Sequence, residues 1–432
     1  MATNNSTTVF SMKSVCMLVQ NHYDMDIRVR RKAEALVVAG YSVDVLALAS
    51  DRSTSKSYTL SGVNVHTVSL GKKRGSLVRY AYEYLAFLLW AFWKLIFLME
   101  KRRYAVIDVN TLPDFLVFAG AYAKLRGAKI VFDMHEITPE FYISKYGMKE
   151  GSLPVRLLKL IEKASFKFAD HVLTINEPIQ KLLEGRGLSP SKATVIMNAA
   201  DESLFASALN TPTTPNATVP QPKFVIMYHG TLTHIYGLDI AIEAFGRIHH
   251  ELSGAEFWIL GNGPEKGSLE NLSRKLGVSD KVKFMGNVLP QEIPLWLKRC
   301  DVGVLPTRRD VFLDFSFSNK LSEYIIMGKP VIASGLRTIR HYFSDAALAF
   351  FEPHDSAALA KQMARLYKDA RLRAQFAARA REEYSPINWE VMKHRYLNLV
   401  ASITGAAPGI NRPCQSPASN VAAHAADVVG SR

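Results

Sequence analysis

The residues with the clearest chemical potential lie in one stretch, residues 300–334, which reads CDVGVLPTRRDVFLDFSFSNKLSEYIIMGKPVIAS. The pattern is that of a strand, a long loop, a helix beginning near Asn319, a glycine and a second strand. The free N–H groups and positive dipole end of a helix start form an anion site. Lys320 adds a charge suited to a diphosphate, and the Glu323 carboxylate can accept hydrogen bonds from two ribose hydroxyls. A glutamate there also stabilises a helix by ~0.3–1 kcal/mol without a ligand, but the whole string is more specific than any one of its residues.

The elements that must position this stretch are short apolar runs that alternate with helical patterns along both halves of the chain. Such alternation predicts an α/β fold with two Rossmann-like, doubly wound parallel-sheet domains. Ligands of such sheets bind beyond the carboxyl ends of the strands, so we expect the site in the central cleft that the two domains face. The predicted strands are 15–20, 42–49, 104–109, 129–134 and 171–176, then 224–230, 256–261, 281–286, 302–306 and 329–334.

Composition along the chain predicts the domain boundaries. The first domain is expected at 14–208 and the second at 223–384. Between them, residues 209–222 contain four prolines and no charged residue, which is typical of an extended linker. Residues 404–432 are rich in Ala, Ser, Gly and Pro, and we expect a disordered tail there.

One segment raises the question of membrane contact. Residues 80–99 are almost entirely apolar, but Glu83 and Lys94 interrupt them, and each charge near a bilayer centre costs at least ~2.5 kcal/mol. Basic clusters flank the segment on both sides, so a spanning helix is disfavoured. Two interpretations stay open for a helix at 76–100: it lies on a membrane surface, or it is buried entirely in the first domain.

Charge and composition restrict the class of protein. The 432 residues include 53 Lys and Arg against 39 Asp and Glu, a net charge of +14, of which residues 1–200 carry +10. The hydrophobic content of 48% excludes a disordered chain. The cationic excess favours an anionic partner; without a zinc-finger or RNA-recognition motif we expect an anionic membrane surface and no nucleic acid. Three cysteines without metal or disulfide spacing, and no leader pattern, predict a cytoplasmic protein.

Several blocks together resemble one family. The block SNKLSEYIIMGKPVIAS and the order of elements resemble the retaining nucleotide-sugar glycosyltransferases of GT-B architecture, the glycosyl transferase group 1 type. The resemblance runs from residue 14 to 403 and implies that a last helix at 385–403 crosses back to the first domain. Other similar blocks are DMDIRVRRKAEALVVAGYSVDVLAL (24–48), VFDMHEITPE (131–140), ADHVLTINEP (169–178), YHGTLTHIYGLDIAIEAF (228–245) and NWEVMKHRY (388–396).

The resemblance assigns roles in the donor site. Glu323 matches the glutamate that holds the donor ribose. The family often has a second glutamate eight residues earlier, but that position is Phe315 here, and the adjacent Asp314 is a candidate sugar contact. Arg308 and Arg309 are a second candidate pair for the diphosphate, or a solvated loop.

The family also often has basic residues in the loop after the first strand of the second domain, where they follow a glycine. This chain lacks them. The loop begins Gly230-Thr231, and Tyr236 stands at the second position. We therefore expect Lys320 and the amides of the helix at 319–327 to bind the diphosphate, with Gly230 and Thr231 beside them.

The resemblance also assigns the acceptor side. His135 matches a cleft histidine near the reacting sugar carbon; the alternative is a satisfied histidine at a strand end. Glu136 and Glu140 follow it and are candidate acceptor contacts, and Asn110, at the end of a neighbouring strand, faces the same cleft edge.

These expectations combine into one function. The resemblance implies transfer of a sugar from a nucleoside-diphosphate sugar, with retention of anomeric configuration, through an oxocarbenium-like transition state. We expect no cofactor and no metal, because the only Asp-x-Asp, at 24–26, is interpreted as a helix cap. The basic first domain and the 76–100 helix favour a lipid-linked saccharide acceptor at the inner face of the plasma membrane, in polysaccharide or glycolipid biosynthesis. The alternatives are a sugar-nucleotide epimerase of the same architecture and a degenerate, non-catalytic subunit of a transferase.

Overall fold

The structure is a computed structural model that describes residues 14–50, 57–70, 77–200, 202, 204–206 and 222–405. These residues form two sheets, of eight strands and six strands, each covered by helices. Every strand pair in them is parallel except β3–β4 at one edge of the first sheet. The predicted α/β class with two doubly wound domains is therefore confirmed. The predicted linker at 209–222, apart from its last residue, and the predicted tail from residue 406 lie outside the described residues.

The first sheet has the strand order β3-β4-β2-β1-β5-β6-β7-β8. Its central strands are buried along nearly their whole length, because helices cover both faces. The strands are β1 Ser14–His22, β2 Ser42–Leu48, β3 Ser57–Leu60, β4 Val63–Val68, β5 Tyr104–Asn110, β6 Lys129–Met134, β7 His171–Thr174 and β8 Ala193–Val195. The helices are α1 Ile27–Val38, α2 Leu77–Lys101, α3 Ala121–Leu125, α4 Thr138–Tyr146, α5 Leu153–Phe168 and α6 Glu177–Glu184.

The second sheet has the order β11-β10-β9-β12-β13-β14. Its strands are β9 Phe224–His229, β10 Ala255–Leu260, β11 Val282–Gly286, β12 Val302–Leu305, β13 Val331–Ser334 and β14 Ala349–Phe351. Its helices are α7 Leu238–Ile248, α8 Lys266–Lys275, α9 Ile293–Arg299, α10 Asn319–Ile326, α11 Arg337–Tyr342, α12 Ser356–Lys368 and α13 Ala370–Tyr384. The last helix, α14 Trp389–Thr404, packs against α1 and β5 of the first domain.

Helix α2 is amphipathic in its packing. One side lies on the first sheet, where Phe87 and Leu95 are fully buried. The opposite side forms an exposed apolar stripe along the helix, so the interpretation of α2 as an entirely buried core helix is wrong. By length and composition alone Arg79–Lys101 could cross a membrane, but the sheet occupies one face of the helix. The stripe consists of Leu85, Leu89, Trp93 and Phe97, which are 53%, 52%, 66% and 53% exposed.

A buried ion cluster joins the elements at the centre of the first domain. The Lys32 ammonium of α1 is fully buried and donates to both carboxylate oxygens of Asp108 on β5, at 3.0 and 3.1 Å, and to Asp133 on β6. The guanidinium of Arg28, one turn earlier, binds Asp133 through two hydrogen bonds of 2.7 and 2.9 Å. Tyr396 of α14 donates to Asp108 at 2.7 Å. The crossing helix is thus anchored to the same charges that hold α1 on the sheet.

Removal of the Lys32 charge should destabilise the fold strongly. In Lys32→Met two buried carboxylates lose a shared cation, and breaking such a buried pair costs about 3–5 kcal/mol. Urea unfolding followed by circular dichroism measures the loss. The control is Arg30→Ala on the same helix, which removes a partly exposed pair with Glu34 (2.8 Å) and should cost about 0.3–0.5 kcal/mol. Equal losses in the two variants would contradict the importance of the cluster.

Candidate functional site

The start of helix α10 lines a cavity of about 400 Å³ at the carboxyl ends of the strands of the second sheet. Among the residues proposed from the sequence, the structure brings five to this cavity: Gly230, Thr231, Asn319, Lys320 and Glu323. The other wall comes from the end of β10, the loops after β10 and β11, and the start of α9. It contains Leu260, Gly261, Asn262, Asn287, Val288, Pro290 and Ile293.

Glycine at position 230 is required by the path of the Lys320 side chain. A Cβ atom on Gly230 would lie 2.1 Å from Cε of Lys320, and the φ of +128° is one that L residues rarely adopt. The loops also touch each other, since a Cβ on Gly261 would lie 2.0 Å from the carbonyl oxygen of Gly230. The lysine therefore reaches the cavity only because the backbone beside it carries no side chain.

Lys320 and Glu323 are two largely buried ionisable groups whose charges influence each other. The Lys320 ammonium lies 4.4 Å from the centre of the Tyr236 ring. Burial lowers the pKa of Lys320, and the Glu323 charge opposes that change. Burial raises the pKa of Glu323 to about 7, opposed by the charges of Lys320 and Arg31. The carboxylate is thus near its midpoint at neutral pH, and hydrogen bonds from a ligand's hydroxyls would favour its ionised form.

His229, the last residue of β9, lies behind this pair. Its Nε2 is 3.4 Å from Oε2 of Glu323, and its ring is 4% exposed. Burial lowers the pKa of His229 to about 3, with the Lys320 charge adding to the effect, so the ring is neutral at physiological pH. Sequence reasoning missed this residue, although its place at the end of a strand before Gly230 was a usable signal.

The structure does not bring Asp314 into the donor cavity. Its carboxylate accepts from the backbone N–H of Arg337 at 2.9 Å and from Arg309 Nε at 3.4 Å. Phe315 is 8% exposed and packs with the core of the first domain. Arg308 binds Asp239 and the carbonyl of His234, so it fastens the turn before α7 instead of facing the cavity. Arg309 likewise binds the carbonyl of Gly335.

A second cavity, of about 340 Å³, lies in the first domain and contains His135 and Glu136. The His135 backbone N–H donates to Oγ1 of Thr111 at 3.2 Å, while the ring Nδ1 is buried and has no hydrogen-bond partner among the described residues. Burial lowers the pKa of His135 to about 4, although the Asp133 charge opposes it. The imidazole is therefore neutral at pH 7 and keeps a free position for a ligand.

Glu136 is the second polar group with unused capacity in this cavity. Burial raises its pKa to about 7, opposed by the charge of Lys145, and its Oε2 has no hydrogen-bond partner within the described part of the chain. Two other acceptor-side candidates lie elsewhere. Glu140 is buried and bound by the Arg186 guanidinium. Asn110 is fully buried, accepts from the Lys32 ammonium at 2.9 Å and belongs to the ion cluster.

The two cavities approach each other across Tyr236. The ring of Tyr236 carries the Lys320 ammonium on its face, and burial together with the charge of Glu136 raises the pKa of its hydroxyl. Direct contacts join the domains beside them. Asn176 donates to the carbonyl of Phe315 at 2.9 Å, and Ser144 donates to Asp310 at 2.6 Å. These hydrogen bonds hold the two domains against each other beside the cavities.

Acidic and imidazole groups do not cluster in a metal-binding pattern in the described residues, where no three His, Cys, Asp or Glu lie close enough to hold an ion. Asp26 of the Asp-x-Asp sequence caps α1, because its carboxylate accepts from the N–H of Val29 at 3.1 Å. Transfer without a metal stays a prediction.

Comparison with known proteins identifies the family of this architecture. A family model described as glycosyl transferases group 1 matches residues 223–369, and one described as glycosyl transferase 4-like domain matches residues 25–199. The chain is 23% identical over 316 residues to a D-inositol 3-phosphate glycosyltransferase of Streptosporangium roseum, an alignment that covers 70% of both proteins. It is 27% identical over 185 residues to the lipopolysaccharide core biosynthesis glycosyltransferase LpsE of Rhizobium meliloti. That alignment covers 42% of this chain and 51% of LpsE.

A solved structure supports the fold independently. Anabaena Alr3699/HepE, determined in complex with UDP and glucose, matches with a TM-score of 0.64 at 17% identity and covers 90% of this chain and 100% of that chain. Two family models that cover both domains, relatives over most of the length and this GT-B neighbour agree with one another. The protein therefore belongs to the group 1 glycosyltransferase family and is a glycosyltransferase enzyme with the GT-B fold.

Proposed function

We propose that the enzyme transfers a sugar from a nucleoside-diphosphate sugar to a lipid-linked saccharide, with retention of configuration, during polysaccharide or glycolipid synthesis. The observation that carries the donor assignment is the placement of Lys320 on the first turn of α10 and of Glu323 at the start of the next turn, in one cavity that faces the cleft. The relation to LpsE, a lipopolysaccharide enzyme by name, supports the biosynthetic setting.

The chemistry follows from these positions. The bond between the anomeric carbon and the diphosphate oxygen breaks, and a bond from the anomeric carbon to the acceptor hydroxyl oxygen forms. The hydroxyl proton passes to the departing diphosphate, on which negative charge grows. The free amides of the α10 start and the Lys320 ammonium stabilise that charge with no metal ion. Glu323 accepts hydrogen bonds from the ribose hydroxyls. On the other side of the cleft, the neutral imidazole of His135 positions the hydroxyls near the oxocarbenium-like centre.

Loss of the Glu323 carboxylate should remove nucleotide binding. We expect UDP, GDP, ADP or dTDP to raise the melting temperature of the wild-type protein, since a ligand at 100 times its Kd adds about 2.7 kcal/mol. Glu323→Ala should lose most of that shift and at least 100-fold in transfer, while its circular dichroism stays unchanged. Glu270→Ala, an exposed glutamate of α8, is the matched control. An undiminished shift in Glu323→Ala would place the donor elsewhere.

His135 should affect transfer and not donor binding, because it lies in the other cavity. We expect His135→Leu to lower turnover by about 10²–10⁴-fold and to keep the thermal shift with nucleoside diphosphates. Since the pKa of His135 is about 4, its ring stays neutral from pH 5.5 to 8. Any change of rate with pH in that range should therefore be the same in His135→Gln as in the wild type. Normal turnover in His135→Leu would contradict this role.

The exposed stripe on α2 supports contact with an anionic membrane surface at the inner face of the plasma membrane. The stripe lies beside cations: the ammonium groups of Lys94 and Lys101 are 5.6 and 4.2 Å from the centre of the Phe97 ring. Apolar side chains flanked by cations fit the boundary between acyl chains and acidic headgroups. This placement would present the first domain to a lipid-linked acceptor.

Vesicle flotation tests the membrane proposal. Wild-type protein should float with vesicles that contain phosphatidylglycerol at low salt and should be released at high salt. The double variant Leu89→Ser/Trp93→Ser should remain at the bottom of the gradient. Leu289→Ser, which changes a leucine 65% exposed in the second domain, is the control and should float. Wild-type protein that fails to float, or a double variant that floats equally well, would refute the proposal.

A further inference from the structure

A third cavity, of about 620 Å³, lies between helix α6 of the first domain and helix α11 of the second. Two hydrogen bonds join the domains next to it. Asn176 donates to the carbonyl of Phe315 at 2.9 Å, and the backbone N–H of Glu177 donates to the hydroxyl of Tyr342 at 3.0 Å. None of the residues that line this cavity lines the donor cavity or the His135 cavity. It is therefore separate from the proposed donor and acceptor sites.

The polar lining of this cavity is cationic, and both domains contribute to it. Lys181 comes from α6, whereas Arg337, Arg340 and His341 come from α11. No carboxylate is among the described residues that line the cavity. Like charges from two domains repel one another, and an anion between them relieves that repulsion while it attracts each cation. The cavity therefore suits an anionic ligand.

The carboxylates near these cations neutralise them only in part. Lys181 is exposed and has no ion pair in the part of the chain that the structure describes. Arg340 lies 3.2 Å from Asp345, whose side chain is 80% exposed, and ion pairs on the surface contribute little. Arg337 lies 3.5 Å from Asp314, but the same carboxylate also pairs with Arg309. The lining thus keeps a net positive charge.

The rest of the lining is apolar. It consists of Pro178 and Leu182 of α6 and the ring of Phe315, which is 8% exposed. The Arg337 guanidinium lies 4.9 Å from the centre of the Phe315 ring, a contact that restricts it before a ligand binds. A guanidinium presents its N–H donors in a fork that matches the oxygens of a phosphate. Cations beside an apolar surface suit a ligand in which a phosphate is attached to an apolar group.

We propose that this cavity binds a phosphate or diphosphate group that carries an apolar chain, with Lys181 holding the anion from the first domain and Arg337 and Arg340 from the second. Because both domains contribute, the bound ligand favours this arrangement of the domains over one in which α6 and α11 move apart. The inference goes beyond the proposed function and does not depend on it, since the three cavities share no lining residue.

Isothermal titration calorimetry tests the site with inorganic pyrophosphate and geranyl diphosphate. The measurements use the Lys320→Met protein, which lacks the cation of the proposed donor cavity, so that diphosphate binding there is weakened. We expect geranyl diphosphate to bind at least threefold more tightly than pyrophosphate, because only its chain covers the apolar lining. Lys181→Gln and Arg337→Gln should each weaken geranyl diphosphate binding at least fivefold, since each removes a cation from a different domain.

Lys361→Gln, which changes an exposed lysine of α12 outside the cavity, is the matched control and should bind as its parent does. All three substitutions are at exposed positions, so the melting temperature without ligand should change little. The site is refuted if neither diphosphate binds or if both cavity variants bind as the control does. A loss in only one cavity variant would refute binding by both domains. Pyrophosphate that binds as tightly as geranyl diphosphate would refute the apolar part of the proposal.

Discussion

The architecture depends on one buried ammonium group. Lys32 is fully buried, and its ammonium donates hydrogen bonds to Asp108 on β5 and Asp133 on β6. It also donates to the side-chain amide oxygen of Asn110 at the end of β5. An ammonium in this position is tolerated only because the carboxylates of Asp108 and Asp133 surround it, and each carboxylate is in turn tolerated only because of the cations. Burial raises the pKa of Asp133, but the charges of Arg28 and Lys32 outweigh burial and bring the pKa well below its ordinary value. Since Asp133 is two residues before His135, the same charges place the strand end that reaches the cleft.

The two sides of the cleft solve different electrostatic problems. The proposed donor side would bind a dianion, and it offers helix amides and one lysine, whose pKa is lowered by burial. The proposed acceptor side would bind a neutral hydroxyl, and it offers a neutral imidazole, a carboxyl group near its midpoint and aromatic rings. Tyr236 lies between them with a cation on its face. A cation on the proposed donor side and neutral groups on the proposed acceptor side fit a reaction in which only the leaving group gains charge.

Sequence patterns predicted those parts of the fold that depend only on residues close to one another in the sequence. Buried apolar strands, the helix start at Asn319 and the position of His135 at the end of β6 follow from neighbouring residues, and the structure has them within a few positions. The antiparallel strand β3 was missed, because its exposed, alternating residues carry no buried-strand signal. Asn110 was placed at the cleft edge because the sequence does not show that Lys32, 78 residues away, uses its amide. The four tyrosines that line the His135 cavity were missed because they lie on two helices, α2 and α4, that only the tertiary structure brings together.

The contact between the loops after β9 and β10 restricts how the enzyme could be diversified. Gly230 and Gly261 touch through backbone atoms, and any side chain at either position would collide with a lysine or a carbonyl. Directed evolution toward other sugar nucleotides must therefore keep both glycines unchanged. On the opposite wall Asn287 has an exposed side chain, whereas Val288 and Ile293 pack partly against the core. A focused library at codon 287 would therefore change the cavity wall while the glycines and the lysine keep their positions.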